Sequence, residues 1–180
     1  MNLIKRITKF YWNTFASAVD HARHLGVTVG MDCMIGTRKW GTEPWLITIG
    51  NHVTVSADTT FITHDGATRV FRNKERYKDV KKYGKIQIKD NCMIGANSTI
   101  LPGVSIGPNA IVGACSLVTK DVPEGCVYAG VPARFLCTVH DYAEKCLANN
   151  LKYDKQLYKT NKREAVLKAL EANEAKKKQS

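Results

Sequence analysis

A branched aliphatic side chain returns at every sixth residue from Ile88 to Val118, at Ile88, Ile94, Ile100, Ile106, Val112 and Val118. A period of six fits neither an amphipathic helix, which repeats every 3.6 residues, nor a two-faced strand, which repeats every 2. It belongs to a chain that turns a corner every few residues and stacks coil upon coil, and hexapeptide repeats mark a parallel β-helix. The same phase runs earlier through Val29, Ile35, Ile49, Val55 and Phe61. A two-residue insertion around Gly41–Pro44 and a longer one at residues 66–85 break it.

The residues between the repeats fit that geometry. With the branched residue as position i, Gly95, Gly107 and Gly113 stand at i+1, and Ala96-Asn97, Pro102-Gly103 and Pro108-Asn109 fill i+2 and i+3. Gly, Asn and Pro supply the backbone angles of a corner. Position i+4 is small or β-branched (Cys92, Ser98, Val104, Ala110, Ser116), as a side chain near a narrow corner must be. The stiff residue at i fills the interior. Three units close one triangular coil, so residues 88–105 and 106–123 form two uninterrupted coils. Each coil buries its face only against its neighbours.

The 180 residues divide into an N-terminal helical segment (1–26), a β-helix domain (27–136) with a protruding loop (66–85), and a C-terminal helical tail (137–180). In the first segment Ile4, Ile7, Tyr11, Phe15 and Ala18 share a helical face, suited to packing over the first coil or to lying on a membrane surface. No stretch is long and apolar enough to span a bilayer, and Lys5, Arg6 and Lys9 interrupt any signal-peptide core. In the tail, Val139, Tyr142, Ala143, Cys146 and Leu147 share one helical face, and Leu157, Val166, Leu167 and Leu170 suggest a second helix.

Six cysteines occur without a CxxC pair, which argues against zinc and for reduced thiols in a cytoplasmic protein. The net charge of +11 is concentrated in residues 67–85 and 151–180. No nucleic-acid motif or aromatic platform accompanies it, so nucleic acid is not the expected partner.

Residues 110–134 read AIVGACSLVTKDVPEGCVYAGVPAR. Gly113, Ala114, Ser116, Val118, Thr119, Lys120, Asp121, Val122 and Pro123, followed by Ala129, Gly130, Pro132, Ala133 and Arg134, resemble the end of the β-helix in hexapeptide-repeat acetyltransferases. That family includes galactoside, maltose and capsule or lipopolysaccharide sugar acetyltransferases. The resemblance covers about residues 29–136. It implies an all-β core built as a left-handed parallel β-helix, although the sequence itself does not show the hand. It also implies a homotrimer that holds acetyl-coenzyme A (acetyl-CoA) between subunits, no metal, and a sugar acceptor. By position match, Ala96, Ala114, Thr119, Lys120 and Arg134 contact the coenzyme. Small residues permit close approach of a slender ligand, and Lys120 and Arg134 offer cations to phosphates.

The resemblance also implies a general base at His64, which ends a coil just before the long loop. Histidine suits that role because its charge changes near neutral pH. It takes a proton from the attacking hydroxyl or amine, so no acyl-enzyme is needed, while backbone N–H groups stabilise the oxyanion. Asp65 follows His64 directly and points to the opposite side of an extended chain, so the group that orients His64 is expected elsewhere. Asp65, Arg69 and Arg72 are candidate acceptor contacts, and the arginines suit an anionic acceptor. Sugar O-acetylation is the leading activity. Amino-sugar N-acetylation, serine O-acetylation and a non-catalytic scaffold are the alternatives. A three-histidine carbonic anhydrase site on this scaffold resembles a close histidine pair plus a third, whereas the coil histidines here are only His52 and His64.

Overall fold

The computed structural model describes residues 6, 10, 12 and 14–177. Ile4, Ile7 and Tyr11 of the expected N-terminal apolar face lie outside the described residues. The chain forms two compact units, Met1–His140 and Asp141–Ser180.

The first unit opens with helix α1 (Ala18–Leu25). Ser17 caps its start by accepting from the Asp20 N–H, and Gly26, with φ of 101°, ends it. The coils follow. Strands β1 (Thr28–Val29), β3 (Ile47–Ile49), β6 (Ile86–Ile88) and β9 (Ser105–Ile106) form one face. A second face contains β2 (Met34–Ile35), β4 (Thr54–Val55), β7 (Met93–Ile94), β10 (Ile111–Val112), β12 (Cys126–Gly130) and β13 (Ala133–Thr138). The third holds β5 (Thr60–Phe61), β8 (Thr99–Ile100) and β11 (Leu117–Val118). All pairs are parallel except β12 with β13, an antiparallel hairpin at the end of the ladder.

The register confirms that three repeat units make one coil. Ile88 pairs with Ile106, Ile94 with Val112 and Ile100 with Val118. Of the eleven in-phase residues, ten are buried and Ile35 is half-buried. The i+4 side chains Cys92, Ser98, Val104, Ala110 and Ser116 are buried too. The two serines are tolerated because their hydroxyls donate to the Gly113 carbonyl, at 3.0 and 2.7 Å. Position i+3 carries the left-handed turn: Asp32, His52, Asp58, Asn91, Asn97, Asn109 and Cys115 all have φ between 52° and 58°. Asn and Asp tolerate that conformation better than most residues.

Two interruptions shape the unit. Lys39 bridges Thr60, which places Trp40 in line with Phe61, five residues after Ile35 rather than six. Trp40 is therefore an interior residue outside the six-residue phase, stacked on Phe61 at 5.1 Å. The net two-residue insertion thus combines one residue lost before Trp40 with three gained after it. The second interruption is larger. Ile49 pairs with Ile88, so the whole protruding loop is spliced into a single coil without shifting the strands on either side of it.

In the second unit, Asp154 caps α3 (Lys155–Thr160), accepting from the Gln156 and Leu157 N–H groups at 2.8 and 2.9 Å. Asn161 separates α3 from α4 (Lys162–Lys177), and its side chain accepts from the Glu164 N–H. The single second helix expected from sequence is therefore two, because Asn161 favours capping over continuing a helix. Ala165 and Ala169 are its buried residues. Helix α2 (Val139–Ala148) spans the boundary between the units. No helix among the described residues is long and apolar enough to cross a membrane.

Candidate active site

Both insertions occur where the chain passes from the third face to the first. The shorter one brings Gly41, Thr42 and Glu43 over the end of the next coil. Gly41 has φ of 70°, and a Cβ there would lie 2.8 Å from the Phe61 carbonyl oxygen, so only glycine lets the chain pass this close. Buried Pro44 then starts a 3-10 turn, Pro44–Leu46, that carries the chain back to the first face.

Glu43 reaches the end of the second coil. The Thr63 hydroxyl donates to its Oε2 at 2.6 Å and the Thr42 hydroxyl to its Oε1 at 2.8 Å. The Thr63 bond, with help from His64 and Thr42 and against the effect of burial, holds the Glu43 carboxyl below the usual carboxylate range. His64 Nδ1 lies 2.9 Å from the same Oε2. The ionised carboxylate therefore accepts the Nδ1–H, and Nε2 is left with a free lone pair. The imidazole is 42% exposed while Glu43 is only 15% exposed, so the acid is sheltered and the ring is open.

The long loop is fixed at its base. His64 bridges Tyr83, the Asp65 N–H donates to Lys82 O, and the Gly84 N–H donates to Thr63 O. Asp65 turns away from the imidazole. It accepts from the Ala67 N–H at 2.9 Å and pairs with Lys82 at 3.3 Å, and these contacts lower its carboxyl from the usual value, the Ala67 bond most. Farther out, Phe71 meets Tyr77 edge-on at 5.7 Å.

His64 forms part of the wall of two cavities. One, about 410 Å³, lies under the loop and includes Asp65, Thr68, Arg69, Arg72, Lys81, Lys82 and Tyr83. The other, about 240 Å³, is bordered by Lys39, Gly41, Thr42 and residues 60–63. His64 thus borders both a basic cavity and one that Thr42, Thr60 and Thr63 help to line.

Four of the coenzyme candidates fall on two edges of the third face, and Arg134 falls on the second face. Ala96 and Ala114 stack one coil apart at the edge shared with the second face, where the Cys115 N–H donates to the Ala96 carbonyl at 2.8 Å. Arg134 lies on β13, exposed, paired with Ala129 and bonded to the Ala133 carbonyl at 3.0 Å. Thr119 and Lys120 are exposed on the opposite edge, where His64 also lies in an earlier coil. His52 is exposed on a different corner. Glu43 is the residue that sequence reasoning missed; its signal was an acid placed within the first break of the repeat. The six cysteines are free, and among the described residues no group of three or more His, Cys, Asp or Glu side chains is placed to hold a metal.

Residues 85–120 match the family described as Bacterial transferase hexapeptide (six repeats). Protein CapG of Staphylococcus aureus is 43% identical over 152 residues, covering 79% of this chain and 87% of that protein. The galactoside O-acetyltransferase of Escherichia coli (strain K12) is 36% identical over 101 residues, 55% of this chain and 47% of that protein. The chain therefore spans about half the length of that enzyme. Among solved structures, the hexapeptide-repeat acetyltransferase VCA0836 of Vibrio cholerae aligns with a TM-score of 0.55 at 26% identity, over 73% of this chain and 86% of that one. The same protein complexed with acetyl-coenzyme A aligns at 0.53 and 27% identity, over 72% and 82% of the two chains. The chain belongs to the hexapeptide-repeat acetyltransferase family.

Proposed function

We propose that this chain transfers the acetyl group of acetyl-CoA to a hydroxyl of a sugar or saccharide, with His64 as general base. The Glu43–His64 pair, whose imidazole residue borders two cavities, carries this reading. The acceptor hydroxyl enters from the loop side and the thioester from the other. The hydroxyl oxygen attacks the thioester carbonyl carbon as Nε2 takes its proton. The C–S bond then breaks, and the imidazolium returns the proton to the departing coenzyme A thiolate. Glu43 holds the tautomer and stabilises the cation that forms. No bond to the protein is made.

The two edges of the third face that carry the candidates fit a trimer of left-handed coils. One subunit offers the His64 edge, and its neighbour offers Ala96, Ala114 and Arg134. The pantetheine arm lies between them, with Lys120 and Arg134 toward the phosphates. Synthesis of a surface polysaccharide in the cytoplasm is a fitting setting.

The direct test is His64→Ala. Turnover, followed by release of the coenzyme A thiol across a panel of sugars and amino sugars, should fall by about 10² or more, while affinity for acetyl-CoA stays within about twofold. Undiminished turnover would remove His64 from the role of base.

A further inference from the structure

We infer that the acceptor carries an anionic group, a carboxylate or a phosphate, gripped by Arg72 beside His64. The inference rests on the acetyl-transfer reading above. Four cationic side chains, Arg69, Arg72, Lys81 and Lys82, contribute to the wall of the 410 Å³ cavity that His64 borders. Among the described residues, the only acid on that wall is Asp65, which Lys82 and the Ala67 N–H already engage. Arg69, Arg72 and Lys81 therefore face the cavity with no carboxylate among its walls left to meet them.

Arg72 differs from an ordinary surface cation. Its side chain is half-buried, and its Nε is fully buried and makes no hydrogen bond among the described residues. Nε is shut away from the cavity, so it is the outer guanidinium N–H groups of this half-buried side chain that are left to meet a ligand there. A guanidinium presents parallel N–H donors that match the paired oxygens of a carboxylate or a phosphate. A neutral sugar has no such pair. The donor's own phosphates are ill placed for this role, because the pantetheine arm separates them from the thioester that must reach His64.

Binding and turnover test this separately. Inorganic phosphate, glucuronate and glucose are titrated into the protein by calorimetry, and glucose, glucuronate and glucose 1-phosphate are offered as acceptors with acetyl-CoA. We expect phosphate or glucuronate to bind and glucose not to, and which of the two binds more tightly identifies the anionic group. Arg72→Gln should weaken anion binding by about tenfold or more and leave the Michaelis constant for acetyl-CoA within about twofold, and Arg72→Lys should fall between. The wild-type titration alone decides the matter should a variant fold poorly. Equal binding of glucose and the anions, or no binding of either anion, overturns the anion site. So does an Arg72→Gln defect confined to acetyl-CoA. Anion binding without acetylation of any acceptor would instead sink the transferase reading and leave the anion site standing.

Discussion

The catalytic proposal comes down to two side chains, distant in sequence, whose polar atoms approach to 2.9 Å. His64 was named in the sequence through the family resemblance, which expects a histidine at the end of a coil just before the repeat breaks. Glu43 was not, since nothing in a six-residue spacing says that one insertion folds over the end of the next coil. Gly41 and Pro44, which place it, read in sequence only as an interruption. Glu43→Gln keeps the shape of the pair, yet removes the charge that fixes the Nδ1–H tautomer. Turnover should fall by about tenfold or more with little change in the Michaelis constant for acetyl-CoA, measured by thiol release. The same residue makes stability depend on pH. The carboxyl is held below its ordinary value in the folded chain. Its contribution is therefore fully present above the ordinary carboxylate value, and is lost as pH falls through the lowered folded value. The melting temperature of the wild type should drop across that acidic window, and that of Glu43→Gln should drop less. Parallel curves would show that the Thr63 and His64 contacts contribute no net stability.

At the scale of the element, the repeat encodes the coil almost completely. Residues at i point inward, i+4 is small and buried, and i+3 takes the left-handed corner, because the same steric demands recur every six residues. What the spacing could not show is where the coil absorbs an irregularity, as it does at Trp40. A tryptophan in place of Ile or Val fills the interior of the first coil against Phe61, one residue out of phase. The glycines at i+1 do a different job. A Cβ on Gly95 would collide with the backbone N of Ala114 and lie 2.6 Å from its Cα, so the neighbouring coil can stack only on a bare backbone. Gly95→Ala must then push two coils apart where the Gly95 N–H donates to the Val112 carbonyl at 2.8 Å. A loss of about 1–3 kcal/mol is expected, read from urea unfolding. A change within about 0.5 kcal/mol would mean that the coils slide freely, contrary to the dense packing of the interior.

Over the whole molecule, the candidate coenzyme contacts and the proposed base do not share one edge of the chain. His64, Thr119 and Lys120 lie where the third face meets the first. Ala96 and Ala114 lie where it meets the second, and Arg134 lies on the second face itself. Every one of them was named from the family resemblance, but their division between two edges needed the register of the strands. If neighbouring subunits bring unlike edges together, each site takes His64 from one chain and Ala114 from another. Two variants then fail for different reasons: Ala114→Trp blocks the groove on its own edge, and His64→Ala removes the base from the other. Each alone should be inactive. Refolded together in equal amounts, they should assort at random in a closed ring, and about a quarter of the sites should pair an intact His64 with an intact Ala114. Thiol release should return to about that fraction of wild type, with light scattering giving a mass near three chains. A monomer, or a mixture as inactive as its parts, would place the whole site on a single chain and leave the two-edge arrangement without a function.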